Sequence, residues 1–301
     1  MKKFDCVIAS TKCVAISLML CAFLAACGGD DESWSPSDAD NSRSSSVIPG
    51  SDPESSSAEK NKSSSSSADK EESSSSSVVL AVPCKTETED NCEYDSLTDE
   101  RDGQTYKTVK IGSQWWMAEN LNYDDSTVTP SLSARSWCRD EVDKGCEVAG
   151  RLYTWAAAID SVKLANDADN PQDCGNGREC GLTGKVQGIC PSGWHLPSYD
   201  EWNALFTAVG GQPNAGKVLK SQTGWYSNGN GTDAFGFSAL PAGYRNNNGY
   251  FDLDGYSAYF WSASENYSSY ACSMYLYYSR EDASLRNYYK YYGFSVRCLK
   301  D

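Results

Sequence analysis

A chain of 301 residues with 41 acidic and 26 basic side chains carries a net charge of −15. A field of that sign repels phosphate backbones, so nucleic acid is not an expected partner. The chain holds a single histidine, so a catalytic metal site would have to rest on carboxylates.

At the N-terminus Lys2 and Lys3 form a short basic region, and residues 13–26 form an uncharged apolar run. Such a run is too short to span a hydrocarbon core of roughly 30 Å, but it fits the apolar region of a signal peptide. The tetrapeptide Leu24-Ala25-Ala26-Cys27 matches the bacterial lipobox. Residues 1–26 therefore read as a lipoprotein signal peptide and Cys27 as the lipidated residue. Two or more acyl chains (palmitate among them) on one residue anchor stably where a single chain binds only marginally. Gly28 in place of Asp gives no inner-membrane retention signal, and Asp30-Asp31-Glu32 resembles the acidic signal for surface export. The expected location is the outer membrane, facing the cell surface, with the membrane as a partner through the lipid.

Residues 27–83 read as anchor and linker. Of the 50 residues from 28 to 77, 21 are serine, with runs at 63–67 and 73–77 split by charged spacers. This composition cannot bury enough surface to offset its ordering entropy, which predicts a disordered tether. As a flexible coil it would span about 40 Å and hold a folded domain clear of the membrane. The serines leave O-glycosylation open. With Lys2, Lys3, Lys12 and Asp5 removed with the signal, the net charge moves from −15 to −17.

Residues 84–301 suffice for one sizeable domain. Nine cysteines follow Cys27, as expected of an exported protein. Short-range pairs suggest themselves as Cys84–Cys92, Cys138–Cys146 and Cys174–Cys180, with Cys190–Cys298 joining mid-domain to C-terminus and Cys272 left over. Spacing alone does not fix connectivity. Zinc is the competing reading, but the gaps are wider than C-x₂-C.

In chain order, residues 103–121 alternate Tyr106, Thr108 and Lys110 with Lys107, Val109 and Ile111 before a Gly112-Ser113 turn, which predicts a β-hairpin. In 150–162, Leu152, Trp155, Ile159 and Val162 are spaced as on one face of an amphipathic helix. Ser198-Tyr199-Asp200-Glu201 is a capping box. Trp202, Leu205, Phe206 and Val209 line one face of the helix it starts, and Gly210-Gly211 stop it. Beyond residue 222 short strand-like pieces follow: GFSALPAGY, AYFWSAS, CSMYLYYS and GFSVRCL. The fold class is α+β: a disulfide-stapled, loop-rich domain with two main helices and short antiparallel strands.

The strings DGQTYKTVKIGSQWWMAENLNY, GRLYTWAAA, GICPSGWHLPSYDEWNAL, GTDAFGFSALPAGYR, FWSASE and GFSVRCLKD resemble, in this order, the Fibrobacter succinogenes major paralogous domain. The resemblance covers residues 99–301. A signal and serine linker ahead of the domain also fit that family. The Cys174–Cys180 insertion and unpaired Cys272 depart from its pattern. The layout further resembles the C-type-lectin-like fold shared with formylglycine-generating enzymes, an analogy of fold alone.

For chemistry, His195 lies just before the helix cap with no G-x-S-x-G elbow, so a structural role is expected of it. Glycoside hydrolysis needs two carboxylates at a set separation, and no pair stands out. Formylglycine-type oxidation does not carry over, because Cys272 and Cys298 are 26 residues apart. No cofactor is expected, with calcium left open. Asp252-Leu253-Asp254-Gly255 imitates the start of an EF-hand loop, but its twelfth position is Ala263. Asn228, Asn230 and Asp233 offer further oxygens. The E-P-N and Q-P-D tripeptides of sugar-binding C-type lectins are absent.

Nine Trp and nineteen Tyr give the chain a heavy aromatic load, much of it late. Exposed aromatics stack on sugar faces or anchor protein interfaces. Tyr275, Tyr277, Tyr288 and Tyr291 are the ligand-binding candidates. The leading expectation is a non-catalytic binding or adhesion module for polysaccharide or a cell-surface protein. The alternatives are a carbohydrate-active or cysteine-dependent enzyme and a structural envelope protein.

Overall fold

The computed structural model describes residues 79–139 and 143–301. The segments read as signal peptide and serine tether, with Cys27, lie outside the described residues. Two antiparallel sheets carry the domain. The larger orders β1(Tyr94–Thr98), β2(Thr105–Ile111), β3(Gln114–Met117), β12(Leu299–Lys300) and β6(Trp194–His195) side by side. The C-terminal strand thus closes between β3 and β6, pairing Leu299 with both Trp116 and His195. The second sheet orders β11(Ala283–Tyr289), β10(Tyr270–Tyr277) and β9(Ser257–Tyr267). Small ribbons pair β4(Ser136–Trp137) with β5(Leu152–Tyr153) and β7(Tyr244–Arg245) with β8(Phe251–Asp252).

Strand β2 shows why this sequence folds as it does. Its period of two buries Tyr106 in one core and Val109 and Ile111 in another. The first core gathers Met117, Trp155, Trp261, Phe294 and Val296; the second gathers Trp116, Trp202, Phe206, Phe260, Met274 and Leu276. Two indole donors tie the halves of the chain together: Trp155 Nε1 donates to the Ser262 carbonyl (2.9 Å) and Trp261 Nε1 to that of Tyr153 (2.7 Å).

The expected hairpin is present as β2 and β3. Helix α4(Tyr199–Ala208) starts at the capping box as read: Glu201 N–H donates to Ser198 Oγ, and the Ser198 N–H donates to Glu201 Oε2. Trp202, Leu205 and Phe206 are its buried face.

Three expectations need correcting. The helix foreseen over 150–162 is strand β5 followed by α2(Trp155–Ala158) and α3(Ser161–Ala165), broken where Asp160 adopts φ 54°. A left-handed residue ends an α-helix, and Leu152-Tyr153 is drawn into backbone pairing with Ser136-Trp137. The domain does not have two main helices: α1(Asp143–Ala149) and α5(Gln212–Leu219) join α4, and α5 restarts at Gln212 just beyond the Gly210-Gly211 stop. Of the four late strand pieces, two lie in β9 and β10, whereas 236–244 is mostly loop. The 293–299 segment pairs through isolated bridges before β12, and β11 carries the strand that was not foreseen.

The nine cysteines of the domain form Cys84–Cys92, Cys138–Cys146, Cys174–Cys180 and Cys190–Cys298, leaving Cys272 free and buried. Gly216 of α5 has one structural duty: a Cβ there would lie 2.3 Å from the Asp282 carbonyl oxygen. Its absence lets α5 lie directly against the turn that joins β10 to β11, which sets the second sheet in place.

Candidate functional site

Pairing in the second sheet fixes which side chains share a face. Tyr275 stands opposite Tyr259 and Ser284, Ser273 opposite Trp261 and Arg286, and Ala271 opposite Tyr288. Cross-strand partners point to the same side, and residues two apart along a strand do so as well. One face therefore carries Tyr259 and Trp261 from β9, Tyr275 and Tyr277 from β10, and Arg286 and Tyr288 from β11. The other face carries Met274 and Leu276, buried in the second core with Trp202 and Phe206 of α4.

The aromatic face is closed at β9 and open toward β10 and β11. Phe294 stacks on Tyr259 at 4.7 Å and 18°, so Tyr259 is only 5% exposed. Tyr288 stands edge-on to both rings, at 5.2 and 5.4 Å. Tyr275 lies 4.9 Å from Tyr259 and 6.1 Å from Tyr277, nearly parallel to the latter at 25°. Tyr275, Tyr277 and Tyr288 remain half-buried, and Arg286 is exposed with its guanidinium 4.9 Å above the Tyr275 ring. Burial raises the phenol pKa values of Tyr275 and Tyr288. Burial, with the nearby Asp252 charge, pushes that of Tyr244 to about 12. These rings are thus neutral hydrogen-bond donors near neutral pH, with flat apolar surfaces between them.

The structure brings three of the four sequence candidates together: Tyr275, Tyr277 and Tyr288. Tyr291 stacks instead on Tyr289 at 4.9 Å and 11°, and reaches the face only through Tyr292, which lies 5.4 Å from Tyr244. In the Tyr288-Tyr289 pair it is Tyr289 that is exposed. Tyr244, Tyr259 and Tyr292 stood out in the sequence only as members of the late tyrosine cluster, not as ligand-binding candidates, and Phe294 and Arg286 were not singled out at all. The available signal was the period of two in β11, where Ser284, Arg286 and Tyr288 fall on one side. At the far end of β10, Tyr226, Tyr256 and Tyr278 form a second cluster, with centroids 4.3 to 5.5 Å apart. This cluster borders a cavity of about 940 Å³ between α5, the 227–232 loop and the 278–281 turn.

Asp233, Asp252, Asp254 and Asn230 have oxygens engaged by protein. Asp233, 1% exposed, takes Lys85 Nζ, the Ser238 N–H and the Ser238 hydroxyl, each at 2.6 Å. Asp252 accepts from the Asn246 amide at 2.8 Å, and Asp254 pairs with Arg139. Asn230 Oδ1 accepts the Trp225 N–H at 3.0 Å. Among the described residues no three His, Cys, Asp or Glu side chains gather around one point.

His195 is 2% exposed, with Nδ1 2.7 Å from Asp301 Oδ1 and Nε2 2.9 Å from Glu201 Oε1. Both partners are carboxylates, so the site favours the cationic ring, in which both nitrogens donate. Burial works against this charge, but the Glu201 and Asp301 hydrogen bonds outweigh it and the pKa is raised. The neighbouring Ser198 hydroxyl donates to Glu201, not to the imidazole. The arrangement fastens β6 and the C-terminal residue to α4. Cys272 sits on the helix-facing side of β10, where burial pushes its thiol up to about 12 and keeps it protonated.

Strands β3 to β12, with the whole aromatic face, fall within residues 109–300, which match the model of the Fibrobacter succinogenes major domain. The chain belongs to that family. The family match begins inside β2, and the edge strand β1 lies outside the matched residues. No curated protein and no solved structure matches the chain.

Proposed function

We propose that the protein is a cell-envelope lipoprotein, anchored at Cys27 and held out on its serine tether, whose Fibrobacter major domain is a non-catalytic glycan-binding module. The observation that carries this reading is the half-open tyrosine face of the second sheet. Flat rings set 5 to 6 Å apart on a rigid sheet offer stacking surface at little entropic cost, and their phenols supply donors at the rim. The C-type-lectin-like layout read from the sequence belongs to this proposal, as does display on the outer surface. The acidic pair around His195 is committed to hydrogen bonds with a buried ring, which favours binding over catalysis at that point.

The test is retention of the full-length chain on insoluble polysaccharides and on a glycan array, with calcium and with chelator. The expected result is retention on at least one glycan, abolished by Tyr275→Ala/Tyr277→Ala while the melting temperature stays within a few degrees. Both rings are half-buried and Tyr275 also packs against the first core, so the single Tyr277→Ala variant serves as the check that lost retention is not lost packing. No retention on any glycan, or retention untouched by the double substitution, would sink the proposal.

A further inference from the structure

The tyrosine face carries one charge that the protein leaves uncompensated. In a chain of net charge −15, most cations of the domain are spoken for: Arg280 is held by Asp282 at 2.8 and 3.0 Å, Lys217 by Glu281 at 2.9 Å. Arg286, two strand positions from Tyr288, makes no ion pair among the described residues. It is exposed, and its guanidinium lies over Tyr275 beside the Tyr288 phenol. Asp282, a carboxylate that feels its charge, is already taken in a two-pronged pair by Arg280.

A guanidinium stacked on an aromatic ring keeps its outer N–H edge free, and that planar fork matches a carboxylate with two parallel hydrogen bonds. On the same face, Tyr275 and Tyr277 present near-parallel rings to which a sugar can stack. We propose that the face takes an acidic glycan: a uronate whose carboxylate is received by Arg286 while its ring, or its neighbour's, lies on Tyr275 and Tyr277. This rests on the glycan-binding reading above and adds the ligand class. The acidity of the whole domain makes the site selective as well as attractive. Long-range repulsion discourages polyanions in general, and only one that also stacks gains enough to bind.

The experiment compares retention of the full-length chain on immobilised polygalacturonate, on the same polymer with its carboxylates methyl-esterified, on a neutral β-glucan and on polyglutamate. The expected result is affinity for polygalacturonate about tenfold above that for the ester, as a charge-assisted bidentate pair supplies. Arg286→Gln should erase this difference, and Arg286→Lys should restore only part of it, with unchanged melting temperatures. Equal affinity for acid and ester, a difference that survives Arg286→Gln, or equal retention on polyglutamate would each overturn the inference. Retention on ester and glucan that depends on Tyr275 and Tyr277 but shows no preference for the acid would leave the broader glycan-binding reading standing. Retention on none of the four would remove both.

Discussion

The four disulfides should differ sharply in their worth, and loop length says by how much. Cys190–Cys298 closes a separation of 108 residues, against 6 for Cys174–Cys180. By the chain-entropy account, the long link removes about 4.8 kcal/mol of unfolded-state freedom at 25 °C and the short one about 2.2 kcal/mol. The structure adds to this difference. Cys298 precedes Leu299, which pairs with both Trp116 and His195, so the long link holds the strand that closes the larger sheet. The short link closes a loop that Lys290 also holds, through its bonds to the Gly175 and Arg178 carbonyls and to Glu265. Replacing each pair by alanines and measuring urea unfolding should therefore cost the Cys190→Ala/Cys298→Ala protein about 2 to 3 kcal/mol more than Cys174→Ala/Cys180→Ala. A loss near 5 kcal/mol in a domain of this size lowers the melting temperature by about 10 to 20 °C. Equal costs, or a larger one for the short loop, would refute the argument from loop entropy.

Two further outcomes follow from buried charges. The His195 pKa is raised above its ordinary 6.5 and that of Glu201 is lowered below its ordinary 4.5. The histidine's contribution is full below pH 6.5 and is lost as pH rises through its folded value. The glutamate's is present above 4.5 and is lost as pH falls through its folded value. Thermal unfolding across pH should thus show this knot strongest between about 4.5 and 6.5, and His195→Gln should flatten the alkaline decline; an unchanged profile would count against it. Arg297 is fully buried and donates to Asn120 Oδ1 and to the Phe237 and Ser238 carbonyls, with Phe237 and Phe260 against its guanidinium. Arg297→Ala leaves those acceptors without donors and opens a cavity, at a cost of about 3 to 5 kcal/mol by urea unfolding. A neutral result would mean that the desolvation of the guanidinium had cancelled its hydrogen bonds.

The sequence by itself determined what depends on near neighbours. The capping box at Ser198 and Glu201, the hairpin around Gly112-Ser113 and the short cysteine loops are governed by interactions a few residues apart, and they could be read directly. The family strings were legible for the same reason, being contiguous. The helix over 150–162 misled because its spacing is helical on paper while Leu152-Tyr153 is claimed by pairing with residues 136 and 137 and by the bridge from Tyr153 to Phe294. The candidate site lay between these cases. That Tyr275 and Tyr277 share a face follows from the period of a strand. That Tyr288 joins them, that Phe294 roofs Tyr259 and that Arg286 lies over Tyr275 without a carboxylate were decided only by the register of β10 against β11 and by the return of the C-terminal segment. Register is a property of the assembled sheet, set by Met274 and Leu276 packing under α4 and by α5 pressing on the β10–β11 turn at Gly216. No local run of residues encodes which strand lies alongside. It is that lateral placement that turns scattered tyrosines into a surface.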